Sequence, residues 1–208
     1  MNEKQSVASK GLIVCVSGPS GVGKGTIIKE VLAMRPQIVH SVSVTTRPPR
    51  AGERNGIDYI FCDPDTFRNM LENGEILEYD LYCSHYYGTP KKQLEEKIAA
   101  GLDVVLDITV PGSLSIMRYY SDCVTLFLLP PSLSELQLRL QKRGTETEEM
   151  IHARLQKARE EIGMANRFQY LIVNDDKKKT AELILSIIDA EHCRYHRMAG
   201  IEQTIMAR

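Results

Sequence analysis

The sequence predicts an α/β fold, a parallel sheet flanked by helices, and three observations carry that reading. Short unbroken apolar runs of strand length alternate with helical patterns along most of the chain. The first of these runs leads into a glycine-rich turn and then a helix, giving strand, loop, helix. One stretch, residues 43–90, breaks the rhythm with polar and apolar residues in alternation, the texture of an inserted β region.

The elements follow in order. Leu12-Ile13-Val14-Cys15-Val16 contains no charged or hydroxylated residue and predicts a strand buried on both faces. Ile27, Ile28, Val31 and Leu32 share one helix face, and that helix ends before Pro36. Val42 and Val44 then alternate with Ser41, Ser43 and Thr45, and Asn55-Gly56 is a hairpin-type signal before Tyr59-Ile60-Phe61, so antiparallel pairing is expected here. A short helix opens at Asp63-Pro64 and closes at Gly74, and strand-like pieces follow at 76–82 and 85–87. Thr89-Pro90 reads as an N-cap and a first-turn proline, with Gly101 closing that helix. Residues 104–106, 124–129 and 170–173 supply three more core strands. Ser132 to Glu135 and Thr145 to Glu148 both have capping-box spacing, and Gly144 separates the helices they open. In the second helix Ile151, Leu155, Ala158 and Ile162 form one stripe, while Arg154 and Arg159 point elsewhere. A last helix covers about 180–191, and the polar or aperiodic ends, 1–10 and 194–208, are expected to be loose tails.

Composition narrows the functional classes. A chain of 208 residues suits one compact domain with insertions. A formal net charge of -1 gives no reason to expect a nucleic-acid or membrane partner, so anion affinity must come from local clusters. No apolar run reaches membrane-spanning length and no signal-peptide pattern is present, so a cytoplasmic protein is expected. The scattered cysteines Cys15, Cys62, Cys83, Cys123 and Cys193 never form a Cys-x-x-Cys pair and read as reduced thiols.

Gly18-Pro19-Ser20-Gly21-Val22-Gly23-Lys24 matches the glycine-rich phosphate loop and stands where the chemistry requires it, after a buried strand and at a helix N-terminus. Backbone N–H groups there can converge on phosphate oxygens, and Lys24 can reach the β- and γ-phosphates of a nucleotide. Gly25 stands where a magnesium-binding hydroxyl is usual, and Thr26 follows it. Asp107, at the end of an apolar strand run, is a candidate magnesium anchor; taken alone it reads equally well as a strand-end acid.

Read together, several segments resemble the guanylate kinase family. They are Ser41 to Glu53 (SVSVTTRPPRAGE), Asn55-Gly56-Ile57-Asp58-Tyr59, Tyr86-Tyr87-Gly88-Thr89, Arg143-Gly144-Thr145-Glu146-Thr147-Glu148 and Val173-Asn174-Asp175-Asp176, in the family's order. The resemblance implies a P-loop core at 11–42, 91–139 and 169–193, a GMP-binding insert at 43–90 and a helical lid at 140–168. It implies ATP, GMP and dGMP as ligands, magnesium as cofactor, and no obligatory protein partner. Arg47, Arg50, Tyr59 and Tyr87 would hold the GMP phosphate, a role that guanidinium forks and phenol hydroxyls suit; without the motif they read as solvated surface. Glu78 would accept from guanine N1–H and the 2-amino group, with Ser43, Gly88 and Thr89 along the base edge. Gly18 to Thr26, Arg139 and Asn174 would bind ATP, and Lys24, Arg47, Arg143 and Arg154 would stabilise the charge of the transferring phosphoryl group.

The pattern departs from the family after Asp107, where a second acid and a glutamine are usual and Thr109 and Pro111 stand instead. In relatives that acid helps hold guanine, so Thr109 replaces a charged acceptor with a neutral hydroxyl, and weaker GMP affinity or looser base choice is expected. Two other functions fit part of the pattern. A non-catalytic guanylate-kinase-like interaction domain characteristically lacks a working phosphate loop, which this chain has. A P-loop kinase for a sugar phosphate would have no use for Ser43, Glu78 and Thr89.

Overall fold

The computed structural model describes residues 10–82, 84–142 and 147–207. In chain order the elements are β1 (Ile13–Ser17), α1 (Lys24–Met34), β2 (Val39–His40), β3 (Val44–Thr45), β4 (Ile60–Phe61), α2 (Pro64–Glu72), β5 (Ile76–Tyr82), β6 (His85–Pro90), α3 (Lys91–Ala99) and β7 (Val104–Asp107). Then come α4 (Val110–Tyr119), β8 (Val124–Leu129), α5 (Leu133–Gln141), α6 (Glu148–Gly163), a 3-10 turn (Ala165–Arg167), β9 (Tyr170–Val173), α7 (Lys177–His192), α8 (Tyr195–Met198) and α9 (Ile201–Met206).

The main sheet has the order β2-β7-β1-β8-β9, and every neighbouring pair is parallel. Its centre explains why the first apolar run is unbroken. Leu12, Val14 and Val16 pack with Ile27, Ile28 and Val31 of α1 and with Ile184 and Ile188 of α7. Ile13 and Cys15 pack on the opposite side with Leu94 of α3 and Ile116 of α4. Both faces are covered, which is why the run is apolar up to Ser17, the buried residue that closes β1. The chain runs outward from β1 in both directions, and the crevice beyond the strands' carboxyl ends at such a switch is the usual ligand position.

Residues 44–90 form the second sheet, order β4-β3-β6-β5. Here the expectation of antiparallel pairing holds for β3 with β6 and β5 with β6, and fails for β3 with β4, which are parallel. Asn55-Gly56 therefore makes no hairpin. It builds a self-contained loop in which Gly56 N–H donates to Tyr59 O at 2.8 Å and Phe61 N–H donates to Asn55 Oδ1 at 2.9 Å. A turn signal specifies local geometry only, whereas β3 is paired by a strand far along the chain, Thr45 lying opposite Tyr87.

Several caps also differ from expectation. Thr89 is not the cap of α3: it ends inside β6, its hydroxyl goes to Glu78, and Pro90 itself holds the cap position. The cap of α6 is Thr147, which accepts from Met150 N–H, while Thr145 and Gly144 lie outside the described residues. Ser132 does cap α5 by accepting from Glu135 N–H at 3.0 Å, yet the Glu135 carboxylate pairs with Arg139 at 3.0 Å, so the capping box is half made. Past residue 193 the segment read as aperiodic carries α8 and α9, and His196 and Arg197 both grip Asp122. Cys15, Cys62, Cys123 and Cys193 are free thiols, and Cys83 lies outside the described residues. No helix among the described residues is long and apolar enough to cross a membrane.

Candidate nucleotide site

The glycine-rich loop joins β1 to α1 and is held rigid from below. Gly23 opens α1 in the left-handed region at φ 105°, and a Cβ there would sit 2.9 Å from Asn174 Nδ2. At Gly18 a Cβ would meet Leu128 O at 2.4 Å, so the loop can pass this close to β8 only without a side chain. Asn174 Nδ2 donates to Val22 O at 2.7 Å, and Arg139 donates to the same carbonyl at 3.3 Å and to Asn174 O at 3.2 Å. Thr180 of α7 in turn donates to Asn174 Oδ1 at 3.2 Å. Arg139 and Asn174, both expected near ATP, thus brace the loop from β9, α5 and α7. Lys24 folds over the loop, its Nζ donating to Gly18 O at 2.9 Å.

Asp107 ends β7 opposite Val16, beside the loop. Its carboxylate is open to solvent but ringed by protein, and that loss of surrounding water pushes its pKa up, against the pull of Lys24 and His40. Gly25 leaves room there: a Cβ would lie an ordinary 3.7 Å from Asp107 Oδ2. Thr26 is exposed in the first turn of α1.

The second sheet supplies a cationic, aromatic wall. Arg47 is only 9% exposed, with its guanidinium 5.4 Å from the Tyr59 ring centroid and 5.8 Å from that of Phe61. Its Nη2 donates to both oxygens of Glu53 at 2.8 and 2.9 Å, and its Nη1 to Pro48 O at 2.7 Å. Tyr59 and Tyr87 meet edge to face at 5.9 Å. Burial raises the Tyr59 hydroxyl, and the nearby Asp107 carboxylate raises it further. Arg50 is exposed at the end of the same loop.

On β5 and β6 the base-reading candidates gather. Glu78 is 9% exposed and accepts from the Thr89 hydroxyl; burial raises its pKa and that bond opposes the rise. Gly112 of α4 lies against the other oxygen, since a Cβ there would fall 2.5 Å from Glu78 Oε2. Thr109 is the N-cap of α4, accepting from Gly112 N–H at 3.3 Å. Gly88 must be glycine because β5 passes close by: a Cβ would strike Ile76 Cγ2 at 2.7 Å. Ser43 is half-buried, and its carbonyl accepts from Ile60 N–H at 2.8 Å.

Of the lid candidates, Arg154 lies half-buried on α6, and Arg143 falls outside the described residues. Sequence reasoning assigned no role to Glu53, Gly112 or Glu161. Glu161, on the last turn of α6, lies beside Ser20 N–H and Lys24; burial raises its pKa, and one carboxyl oxygen is buried without a hydrogen-bond partner. Glu53 stood inside the quoted motif, but its partner is visible only once residues 47–53 fold back on themselves.

The comparisons agree with this geometry. A guanylate kinase from Desulfitobacterium hafniense is 42% identical over 195 residues, covering 94% of this chain and 98% of that one. The guanylate kinase of Streptococcus thermophilus is 43% identical, with 93% of each chain covered. The crystal structure of guanylate kinase from Anaplasma phagocytophilum superposes with a TM-score of 0.79 at 35% identity, covering 96% of each chain. The family model described as guanylate kinase matches residues 10–191, nearly the whole of the two-sheet architecture, and the chain belongs to the guanylate kinase family.

Proposed function

We propose that this protein transfers the γ-phosphoryl group of ATP to GMP, yielding ADP and GDP, in the cytoplasm. One observation supports this most strongly: the Asp107 carboxylate is within electrostatic reach of both Lys24 in the phosphate loop and Tyr59 in the second sheet. A triphosphate on the loop and a monophosphate on the Arg47–Tyr59 wall would meet across that carboxylate.

The roles follow from the chemistry. Loop N–H groups between Gly18 and Thr26, Pro19 excepted, hold the ATP phosphates, and Lys24 leaves Gly18 O to reach the β- and γ-phosphates. Arg47, Arg50, Tyr59 and Tyr87 hold the GMP phosphate. Glu78 accepts from guanine N1–H and the 2-amino group, with Ser43, Gly88 and Thr89 along the base edge. Adenine has neither donor, so it would leave a buried carboxylate unsatisfied. dGMP carries the same base and phosphate and is proposed as a second acceptor. Thr109 keeps a hydroxyl near the base where an acid is usual, and GMP affinity is correspondingly weaker. Arg143 and Arg154, from the lid at 140–168, complete the cationic surround and exclude water. The attacking GMP phosphate oxygen is already anionic, so no general base is required.

The donors beside the loop suit magnesium, a hard cation that takes few protein ligands when phosphates supply the rest. Asp107 and Thr26 are oxygen donors open to solvent there, and Gly25 places no side chain beside Asp107. Magnesium, when bound by Asp107 and Thr26, would neutralise charge shared between the β- and γ-phosphates.

The test is ADP release from ATP and magnesium with GMP, dGMP, AMP, IMP, UMP or ribose 5-phosphate as acceptor. GMP should be the best acceptor, dGMP next, with AMP and the sugar phosphate near background. Turnover led by ribose 5-phosphate, or none with any acceptor, overturns the proposal.

A further inference from the structure

Glu53 is a heavily used carboxylate beside the acceptor wall, and it has no role in the function proposed above. Both of its oxygens accept from Arg47 Nη2, at 2.8 and 2.9 Å, and Oε2 also accepts the Arg50 backbone N–H at 2.7 Å. The turn is closed from the other side by Glu53 N–H donating to Arg50 O at 3.0 Å, with Gly52 at φ 88° permitting the bend. One carboxylate therefore ties together the two arginines proposed to hold the GMP phosphate. It grips the guanidinium of the first and the backbone of the second.

Arg47 needs such a partner. Its guanidinium is nearly buried between the Tyr59 and Phe61 rings, where an uncompensated cation is costly and where several rotamers would otherwise compete. With Nη2 on Glu53 and Nη1 on Pro48 O, the fork is fixed, and the Tyr87 hydroxyl faces the same guanidinium. Arg47 also holds the Glu53 carboxyl below the ordinary carboxylate range, so the pair is ionised at neutral pH.

We infer that Glu53 is a positioning residue for the acceptor phosphate, fixing Arg47 and Arg50 before GMP arrives. It acts through the arginines and touches neither base nor reacting atoms. This rests on the proposed role of Arg47. It predicts a signature that plain structural support lacks: loss of Glu53 should be felt by the phosphate of the ligand and not by its base. An amide cannot replace the carboxylate, because Gln offers one acceptor oxygen where three donor contacts converge on two.

The experiment compares GMP, by calorimetry, with guanosine, by NMR titration, on the full chain and on Glu53→Gln, Glu53→Asp and Arg47→Ala. Glu53→Gln should weaken GMP about 10- to 100-fold, the range for hydrogen bonds to charged groups, and leave guanosine and an ATP analogue unchanged. Glu53→Asp, which keeps the charge and shortens the reach, should fall between. Adding Arg47→Ala to Glu53→Gln should cost less than the product of the two single effects. If Glu53→Gln weakens guanosine as much as GMP, Glu53 only supports the insert and the inference is overturned. If Arg47→Ala weakens GMP while both Glu53 variants bind it normally, positioning by Glu53 is refuted and the proposed role of Arg47 stands. If Arg47→Ala leaves GMP affinity unchanged, the role of Arg47 itself fails, and the inference with it.

Discussion

The hydroxyl of Thr89 on β6 donates to Oε1 of Glu78 on β5, and both residues are buried, Thr89 2% and Glu78 9% exposed. The bond fixes which face of the carboxylate remains for a ligand and stabilises its anionic form. Thr89→Val keeps the shape and removes the donor. Leaving a buried charged acceptor short of a partner costs about 1–3 kcal/mol, so GMP affinity should fall about fivefold or more with ATP-analogue affinity unchanged. Calorimetry on the variant checks this.

The proposed role of Glu78 predicts a pH dependence. Burial raises its pKa, so it protonates at a higher pH than an ordinary carboxylate, and the ionised acceptor proposed for guanine exists only above that point. GMP affinity should be full at neutral pH and decline as pH falls through the raised pKa, while Glu78→Gln should show a weak, flatter profile. Stability moves the other way for this group. A folded-state pKa above the unfolded value contributes stability that is present at low pH and lost as pH rises through it. GMP titrations across the acid range, alongside thermal melts, would read both trends.

Thr109 connects the departure in sequence to the geometry. As N-cap of α4 it accepts from the N–H of Gly112, where a Cβ would collide with Glu78 Oε2. Asp caps a helix as well as Thr does, so Thr109→Asp should fold normally. It should also lower the GMP KM several-fold and sharpen the preference for GMP over IMP, by adding a second acceptor near the 2-amino group. Unchanged KM and unchanged GMP-to-IMP ratio would mean that Thr109 serves only the helix.

Asn174 is the buried hub beneath the phosphate loop, 6% exposed and bonded to Val22 O. Asn174→Ala leaves that carbonyl with only the longer Arg139 contact, at 3.3 Å. The loss should be about 1–3 kcal/mol, and each kcal/mol should lower Tm by about 2–4 °C in a chain of this size. The KM for ATP should rise more than that for GMP, because the disturbed element is the loop. Differential scanning calorimetry and initial rates check the two halves separately.

How far the sequence disclosed all this depended on the range of each interaction. The strand at 124–129 and the one at 170–173 were legible to the residue because each is a short run dominated by apolar residues, although the second lies at the sheet edge with Leu171 and Val173 exposed. Lys24 and its glycines were legible because strand, loop and helix are contiguous. The parallel pairing of β3 with β4 was not, since Asn55-Gly56 signals a turn whichever strand it serves. β2, with two residues, is too short to show a period, and Thr89 looked like a cap because nothing local reveals a carboxylate across the strand. Glu53 and Gly112 act on Arg47 and Glu78 through folded-back geometry that spacing does not encode.

The most direct measurement is a calorimetric titration of GMP into the protein alone and into the protein saturated with a non-hydrolysable ATP analogue and magnesium. Two separate anion sites facing each other across Asp107 predict one GMP bound per chain in both titrations, with Lys24→Ala weakening the analogue and sparing GMP. Displacement of GMP by the analogue, or no GMP bound by folded protein, would contradict the account.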